Sequence, residues 1–237
     1  MSMKSFRTAL NILTRLPIKA DETADENSVL ACFALTGVCI GLCMWWLATV
    51  LRWAAGPGVA ALACAVCLPG LFWWLTRTRS LRGTVRFLHQ CPLLATGTEQ
   101  EVYLRVTAFQ VALLVKICLV GWLVYSGRAL WLVASLGLAF AMFAELCRGP
   151  GPDAEAPWWR VDAHWVVAVV ATLVAGTLCG AFLAGVFSCV IVWLLRGRLE
   201  EQIEKVMGPA DDLGRWVAIE WIDLLVVIAG TLFFLTP

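Results

Sequence analysis

Apolar runs as long as a bilayer is thick follow one another along almost the whole chain, which leaves few architectures open. Val29–Leu51, Ala54–Leu75, Val106–Tyr125, Ala129–Cys147 and Trp216–Leu235 each hold close to the ~20 residues a helix needs to cross the hydrocarbon core. No water satisfies a free backbone N–H or C=O there, so runs of this kind span as helices, whose hydrogen bonds are internal. At 61% hydrophobic, 15% charged and a mean hydropathy of +0.82, the chain reads as an integral membrane protein and not a soluble domain. The expected fold class is all-α, a polytopic membrane protein.

One stretch leaves the number of crossings open. Trp165–Leu195 is apolar for 31 residues, enough for one long tilted helix or for two short ones joined at Gly176–Gly185. Charge separates the two. Lys4, Arg7, Arg15 and Lys19 precede the first run, and Arg77, Arg79, Arg82, Arg86 and Arg105 lie between the second and third. Arg148 and Arg160 follow the fourth run, and Arg196, Arg198, Lys205 and Arg215 precede the last. With seven spans all fifteen face the cytoplasm, and only Arg52 and Arg128 face outward. A single crossing over Trp165–Leu195 would export the last four, so the positive-inside rule favours about seven transmembrane helices and a cytoplasmic N-terminus. The expected organisation is a cytoplasmic amphipathic segment at residues 1–28, then one transmembrane domain at 29–237. Cytoplasmic loops are expected at 76–105, 148–164 and 196–215. The start reads without a signal peptide, since Met1–Lys19 is amphipathic and the first long apolar run begins near Val29.

Several residue types carry both a structural and a functional reading. Eight of the ten cysteines, including the Cys64/Cys67 pair, lie in apolar runs, where Cys packs as a small hydrophobe. Trp45, Trp46, Trp53, Trp73, Trp74, Trp158, Trp159 and Trp216 sit near the ends of runs and suit interfacial anchoring as well as core filling. Lys116, Glu145, Glu220 and Asp223 fall within spans or at their ends, where ionisable groups face a protein interior or a water-filled cavity. Glu220 and Asp223 share a helix face. They form either the wall of a polar cleft or an end-of-span pair reaching the interface. Lys116 is expected to stand opposite a buried carboxylate, and His164, at a span start, to be interfacial.

Four blocks resemble one family. They are FRTALNILTRLP at Phe6–Pro17, LTGVCIGL at Leu35–Leu42, LTRTRSLRGTVRFLHQ at Leu75–Gln90 and VMGPADDLGRWVAIEWID at Val206–Asp223. In order along the chain they are similar to the cobalamin synthases (adenosylcobinamide-GDP ribazoletransferases). The family reads F-x-x-A-x-x-F-L-T-R-I-P in the first block and P-L-V-G-x-x-I-G-x in the second, where Gly37 and Gly41 match. Its third block reads L-T-G-G-L-H-x-D-G-L-A-D-T-x-D-G. Laid on it without gaps, Leu75, Thr76 and Gly83 match, and the three acidic positions fall on Arg82, Arg86 and His89. In the fourth, G-G-V-T-G-D-V-L-G-A-x-x-E-x-x-E, Asp211, Leu213 and Gly214 match. The family's block before the third span is not recognisable here.

The resemblance implies the last step of cobamide assembly at a bacterial inner membrane. There adenosylcobinamide-GDP is joined to α-ribazole or its 5'-phosphate, GMP leaves, and magnesium is required. Metal held by carboxylates neutralises a crowded diphosphate and fixes its geometry, and hard magnesium takes oxygen ligands. Guanidinium groups bind phosphate, often bidentately, but repel magnesium. Arg77, Arg79, Arg82 and Arg86 are therefore candidate phosphate-binding residues, with contact to anionic headgroups as the alternative. The remaining acids that could hold a metal are Asp211, Asp212, Asp223 and Glu145, with Asp211, Asp212 and Asp223 the catalytic candidates; only Asp211 stands at a family position, and Asp211 and Asp212 also read as a helix cap. Losing ~6 kcal/mol of transition-state stabilisation slows a reaction about 10⁴-fold. The expectation is thus a synthase-like transferase that uses magnesium if active. The alternative is an inactive paralogue without cofactor that holds a corrinoid intermediate or partners an active synthase. Expected partners are the bilayer, a corrinoid, a nucleotide and other cobamide-assembly proteins, and no nucleic acid.

Overall fold

The computed structural model describes residues 2–19, 23–91, 100–148, 162–208 and 212–235, the side chains of Glu26, Gln100 and Asp212 excepted. All regular structure among these residues is helical. The helices are α1 (Met3–Leu13), α2 (Glu26–Ala55), α3 (Pro57–Leu75), α4 (Arg79–Gln90), α5 (Gln100–Tyr125), α6 (Trp131–Arg148), α7 (Ala163–Leu178), α8 (Phe182–Met207) and α9 (Asp212–Leu235). Six of them, α2, α3, α5, α6, α8 and α9, are long and apolar enough to cross a membrane, and α7 is a shorter apolar helix. Large apolar side chains such as Leu62, Leu114, Leu183 and Leu194 are exposed on α3, α5 and α8. Such surfaces are stable against lipid and not against water. The chain is a multi-pass membrane protein.

The ambiguous apolar stretch is two helices. Backbone N–H groups of Cys179 and Ala181 close the end of α7 on Ala175 and Gly176, and Gly180 turns the chain at φ +73°. A left-handed turn of this kind suits glycine, which has no Cβ to clash. Sixteen residues give α7 a rise of about 24 Å, short of the ~30 Å core. Hydrogen bonds fix the alternation of the helices. Arg52 of α2 donates to the Val124 carbonyl of α5 at 3.4 Å, and Arg128 donates to the Phe234 carbonyl of α9 at 3.3 Å. The C-terminal ends of α2, α5 and α9 therefore meet at one end of the bundle. At the other end the Arg15 N–H donates to the Leu75 carbonyl at 2.8 Å, bringing the end of α1 to the end of α3. The basic segments gather at this second end, which the positive-inside rule assigns to the cytoplasm.

Two expected loops are largely helical. The segment 76–105 contains α4 and the start of α5, and 196–215 contains the last turns of α8 and the first of α9. Basic and polar residues lower hydropathy without breaking a helix, so hydropathy alone ends each element too early. The third expected loop, 148–164, lies mostly outside the described residues.

The centre of the bundle is α6, of which nearly every residue is buried. It packs on α2, α7, α8 and α9. Small side chains such as Ala134, Ser135, Gly137 and Ala141 line it, and α2 meets it through glycines. A Cβ on Gly37 would lie 2.5 Å from the Leu136 carbonyl oxygen, and one on Gly41 2.7 Å from the Val133 Cα. In a membrane close packing of this kind replaces the hydrophobic drive that water supplies elsewhere.

Candidate functional site

The corner between α3 and α4 is strained. Arg77 and Thr78 both have left-handed backbones, at φ 55° and 58°. This conformation is uncommon for side-chain-bearing residues and costs more for a β-branched one. In the family pattern the same two positions are Gly-Gly, the residues such a corner favours. Five positions on, Gly83 is buried against α9, where a Cβ would collide with the Leu213 carbonyl oxygen and touch Val217. Gly214 is also a point of contact, with room for a Cβ only 3.0 Å from Ile203 of α8. The third and fourth blocks thus pack together, and the first joins them. Arg79 donates to the Ile12 carbonyl at 3.4 Å and stacks over Trp216 at 5.6 Å.

Of the four arginine candidates, Arg79 is held by α1 and α9 in this way. Arg82 and Arg86 are exposed one turn apart on the outer face of α4, Arg77 is exposed at the corner, and His89 is exposed near the helix end. The inner face of α4 carries Leu81, Thr84 and Leu88. Thr84 donates its hydroxyl back to the Ser80 carbonyl at 3.1 Å. This helix offers guanidinium groups where magnesium needs oxygen, so its described side chains do not fit that ion. Asp211 and the side chain of Asp212 lie outside the described residues.

Beneath α4 three charged side chains meet. Lys116 Nζ lies 2.5 Å from Glu220 Oε2 and 2.7 Å from Asp223 Oδ2, and all three residues are buried. The Trp73 indole N–H donates to Glu220 Oε1 at 2.8 Å, and the rings of Phe72 and Trp73 flank the ammonium at 5.2 and 6.0 Å. The expected pairing of Lys116 is present, with two carboxylates in place of one. The same-face pair Glu220 and Asp223 is buried against Lys116. Both acids turn inward, so Asp223 is remote from the arginine face of α4. Asp223 Oδ1 has no hydrogen-bond partner among the described residues, and a cavity of ≈ 20 Å³ beside Lys116 and Asp223 has room for about one water. A second cavity of ≈ 330 Å³ rises from Lys116 and Glu220 between α4, α5 and α9.

A further polar cluster ties α6, α7 and α8 together at the basic end. Glu145 Oε2 accepts from the Trp165 indole and lies 3.1 Å from His164 Nε2, while Arg196 stands 3.3 Å from Glu145 Oε1. Arg148 pairs with Asp162. His164 is therefore buried on Glu145, and not interfacial as its place at a span start suggests, because the start of α7 is covered by α6 and α8. Glu145, Asp162 and His164 have ligand atoms within 4.8 Å of one another. Arg148 and Arg196 already neutralise both carboxylates, which makes the cluster a structural clasp.

Sequence reasoning missed Trp73 as a partner of Glu220, reading it as an interfacial anchor and core filler. Its signal was its place one turn before a polar loop, which anchors and ligands share. Trp216 is likewise buried, against Phe143 at 4.6 Å. Trp158 and Trp159 lie outside the described residues. All ten cysteines are free thiols.

Residues 5–79 match the family model described as cobalamin-5-phosphate synthase. No curated protein and no solved structure matches the chain. The match covers about the first third of the sequence and shows the resemblance there. It runs through the first two blocks and stops at the first residue of α4, just before the positions where the family's acids and this chain's arginines part.

Proposed function

We propose that this protein works in cobamide assembly as a cobalamin synthase-like membrane protein. The reaction class is the joining of a nucleotide-activated corrinoid, adenosylcobinamide-GDP, to α-ribazole or its 5'-phosphate with release of GMP. The observation that carries this reading is the family match at residues 5–79 together with the backbone that continues beyond it. Gly83 stands at a family glycine position, and Arg77 and Thr78 hold left-handed backbones where the family pattern has Gly-Gly.

In this reading Arg82 and Arg86 present guanidinium groups to the phosphates from the basic end of the bundle. Forked N–H groups match phosphate oxygens and offset the charge of a diphosphate. The Lys116–Glu220–Asp223 triad fixes α5 against α9 and so holds the surface on which α4 lies. No step is routed through magnesium, because α4 does not supply its ligands. The same inversion of charge favours a second reading, an inactive paralogue that binds the corrinoid intermediate or partners an active synthase.

Complementation tests the first reading. The chain is expressed in a bacterium that lacks its own cobalamin synthase, and growth is made to depend on supplied cobinamide. Growth supports transfer without the usual acidic loop. Absence of growth with the protein inserted and stable overturns it in favour of the second reading.

A further inference from the structure

We infer that the end of the bundle opposite α4 carries a binding site for one phospholipid with an anionic headgroup, its phosphate on Arg52 and one acyl chain in the groove between α2, α6 and α7. Two cavities make up the site. The first, of ≈ 450 Å³, lies beside the turn between α5 and α6 and is lined from α2 by Trp45, Thr49, Arg52 and Trp53. Spacings of three and four put these residues on one face of α2. The second, of ≈ 590 Å³, is walled almost wholly by aliphatic side chains, among them Val38 and Leu42 of α2, Val133 of α6, and Val170 and Leu178 of α7. Trp45 lines both, so the polar cavity and the apolar groove adjoin.

The polar end sets the headgroup. Arg52 is half-buried, and among the described residues its guanidinium makes one hydrogen bond, to the Val124 carbonyl at 3.4 Å. A guanidinium has about five N–H donors, so most of the fork is unanswered. The α5–α6 turn holds it in place, since a Cβ on Gly127 would lie 2.1 Å from Arg52 Nη1. Residues 45–60, 118–134, 173–185 and 226–235, which form this end, include no Asp or Glu to compete for it. Phosphate oxygens match the fork. A zwitterionic headgroup brings an ammonium beside Arg52 with no acid to receive it, which favours an anionic lipid. Thr49 donates to the Trp45 carbonyl at 2.8 Å and can still accept from a headgroup hydroxyl. Trp53 is exposed at the level where amphipathic rings settle among headgroups.

The groove sets the tail. From Val166 to Leu178 it follows twelve residues of α7, a rise of about 18 Å, and one leaflet's half of the hydrocarbon core is about 15 Å. Free phosphate would answer Arg52 and leave the groove without a partner. An uncharged lipid would fill the groove and leave the guanidinium without an acceptor, at the cost that unpaired polar groups carry in hydrocarbon. One anionic phospholipid meets both.

The inference is independent of any transfer chemistry, because the site lies at the far end from α4 and its readout is lipid binding. The full chain is purified in detergent, stripped of lipid and titrated with dioleoyl-phosphatidylglycerol, and bound lipid is counted by native mass spectrometry. Three further probes take the ligand apart. Dioleoylglycerol keeps the chains, glycerol 3-phosphate keeps the phosphate, and dioleoyl-phosphatidylethanolamine keeps both and adds an ammonium. One phosphatidylglycerol per chain is expected to bind at least about 10-fold more tightly than each of the three. Arg52→Gln should weaken it roughly 10- to 100-fold, and Arg52→Lys, which keeps the charge and loses the fork, should fall between. Arg128→Gln removes the same charge from the same end but outside the cavity, where Arg128 stacks on Phe234, and should change the affinity less than about 3-fold. Because Arg52→Gln also breaks the bond to Val124, Val170→Trp is the second test. It fills the groove from an exposed position on α7 without touching a charged group, and should weaken binding about 10-fold while leaving the Tm of the lipid-free protein in place. Glycerol 3-phosphate binding as tightly as the lipid would make the site one for free phosphate and overturn the assignment. Equal binding of dioleoylglycerol or phosphatidylethanolamine, an equal loss in Arg128→Gln and Arg52→Gln, or full binding by Val170→Trp each overturns it as well.

Discussion

Removing Lys116 should cost more than removing almost any other side chain. Its ammonium lies 2.5 and 2.7 Å from two carboxylates, and the three residues are 6%, 9% and 3% exposed. Deleting one partner of a buried pair costs about 3–5 kcal/mol, because it leaves an uncompensated charge. Lys116→Met strands two acids at once and leaves them facing each other, so the upper value, about 5 kcal/mol, applies. For a protein of this size that corresponds to a fall in Tm of roughly 10–20 °C. The triple variant Lys116→Met/Glu220→Met/Asp223→Leu removes the whole set. Buried ionic groups replaced together by apolar ones of similar volume are often neutral or better, so most of the loss should return. What remains, about 1–3 kcal/mol, is the Trp73 N–H left without its acceptor. Thermal unfolding in a fixed lipid–detergent mixture, followed by size-exclusion of the surviving fold, reads both variants. A single variant that melts with the wild type, or a triple as unstable as the single, would refute the account of the triad as a matched charge set.

Seven crossings place Leu178, beside the α7–α8 turn, opposite in sidedness to Thr78. In a cysteine-free background, Leu178→Cys should react with an impermeant maleimide from outside and Thr78→Cys only from inside; labelling of both from one side removes the seventh crossing. Gly41→Leu should separate α2 from α6 at the Val133 backbone and cost about 1–3 kcal/mol, checked as a loss of Tm, whereas Gly70→Leu, with nothing within 4 Å, should cost far less. The double variant Arg82→Ala/Arg86→Ala should weaken GDP binding measured without magnesium, and unchanged affinity would remove the phosphate role from α4.

Much of the fold was legible because the bilayer enforces simple rules. Run length identified the spanning segments, and the placement of Arg196, Arg198, Lys205 and Arg215 required the break that the structure puts at Gly180. Which helix is central was not legible. Among lipid-facing and buried spans alike the residues are apolar, so hydropathy does not separate the buried α6 from the exposed α5. The small residues of α6 and the glycines of α2 were the available signal. The triad was half legible, since Lys116 and the same-face pair Glu220/Asp223 stand out in apolar runs. Their meeting across α5 and α9 was not, because a contact between residues 104 apart is a property of packing. His164 shows the same limit at the surface, as its place in sequence gave no sign that α8 would cover it.

The α4 segment separates two things that a family motif usually joins. Its backbone has a left-handed corner at Arg77 and Thr78 and a bare Cα at Gly83 where α4 packs on α9. Its side chains differ from the family pattern, with Arg82 and Arg86 exposed on α4. A helix can exchange outward carboxylates for guanidinium groups at little cost in stability, since exposed charges contribute weakly. The cost falls on chemistry, where the sign of the charge decides between binding a metal and binding a phosphate directly. The corner carries the converse evidence. A β-branched residue held left-handed costs on the order of 1–2 kcal/mol, and its persistence at Thr78 means that the geometry it sets outweighs that cost. That geometry aims α4 along α9, where Gly83 meets the Leu213 carbonyl and Leu81, Thr84 and Leu88 face α5 and α9.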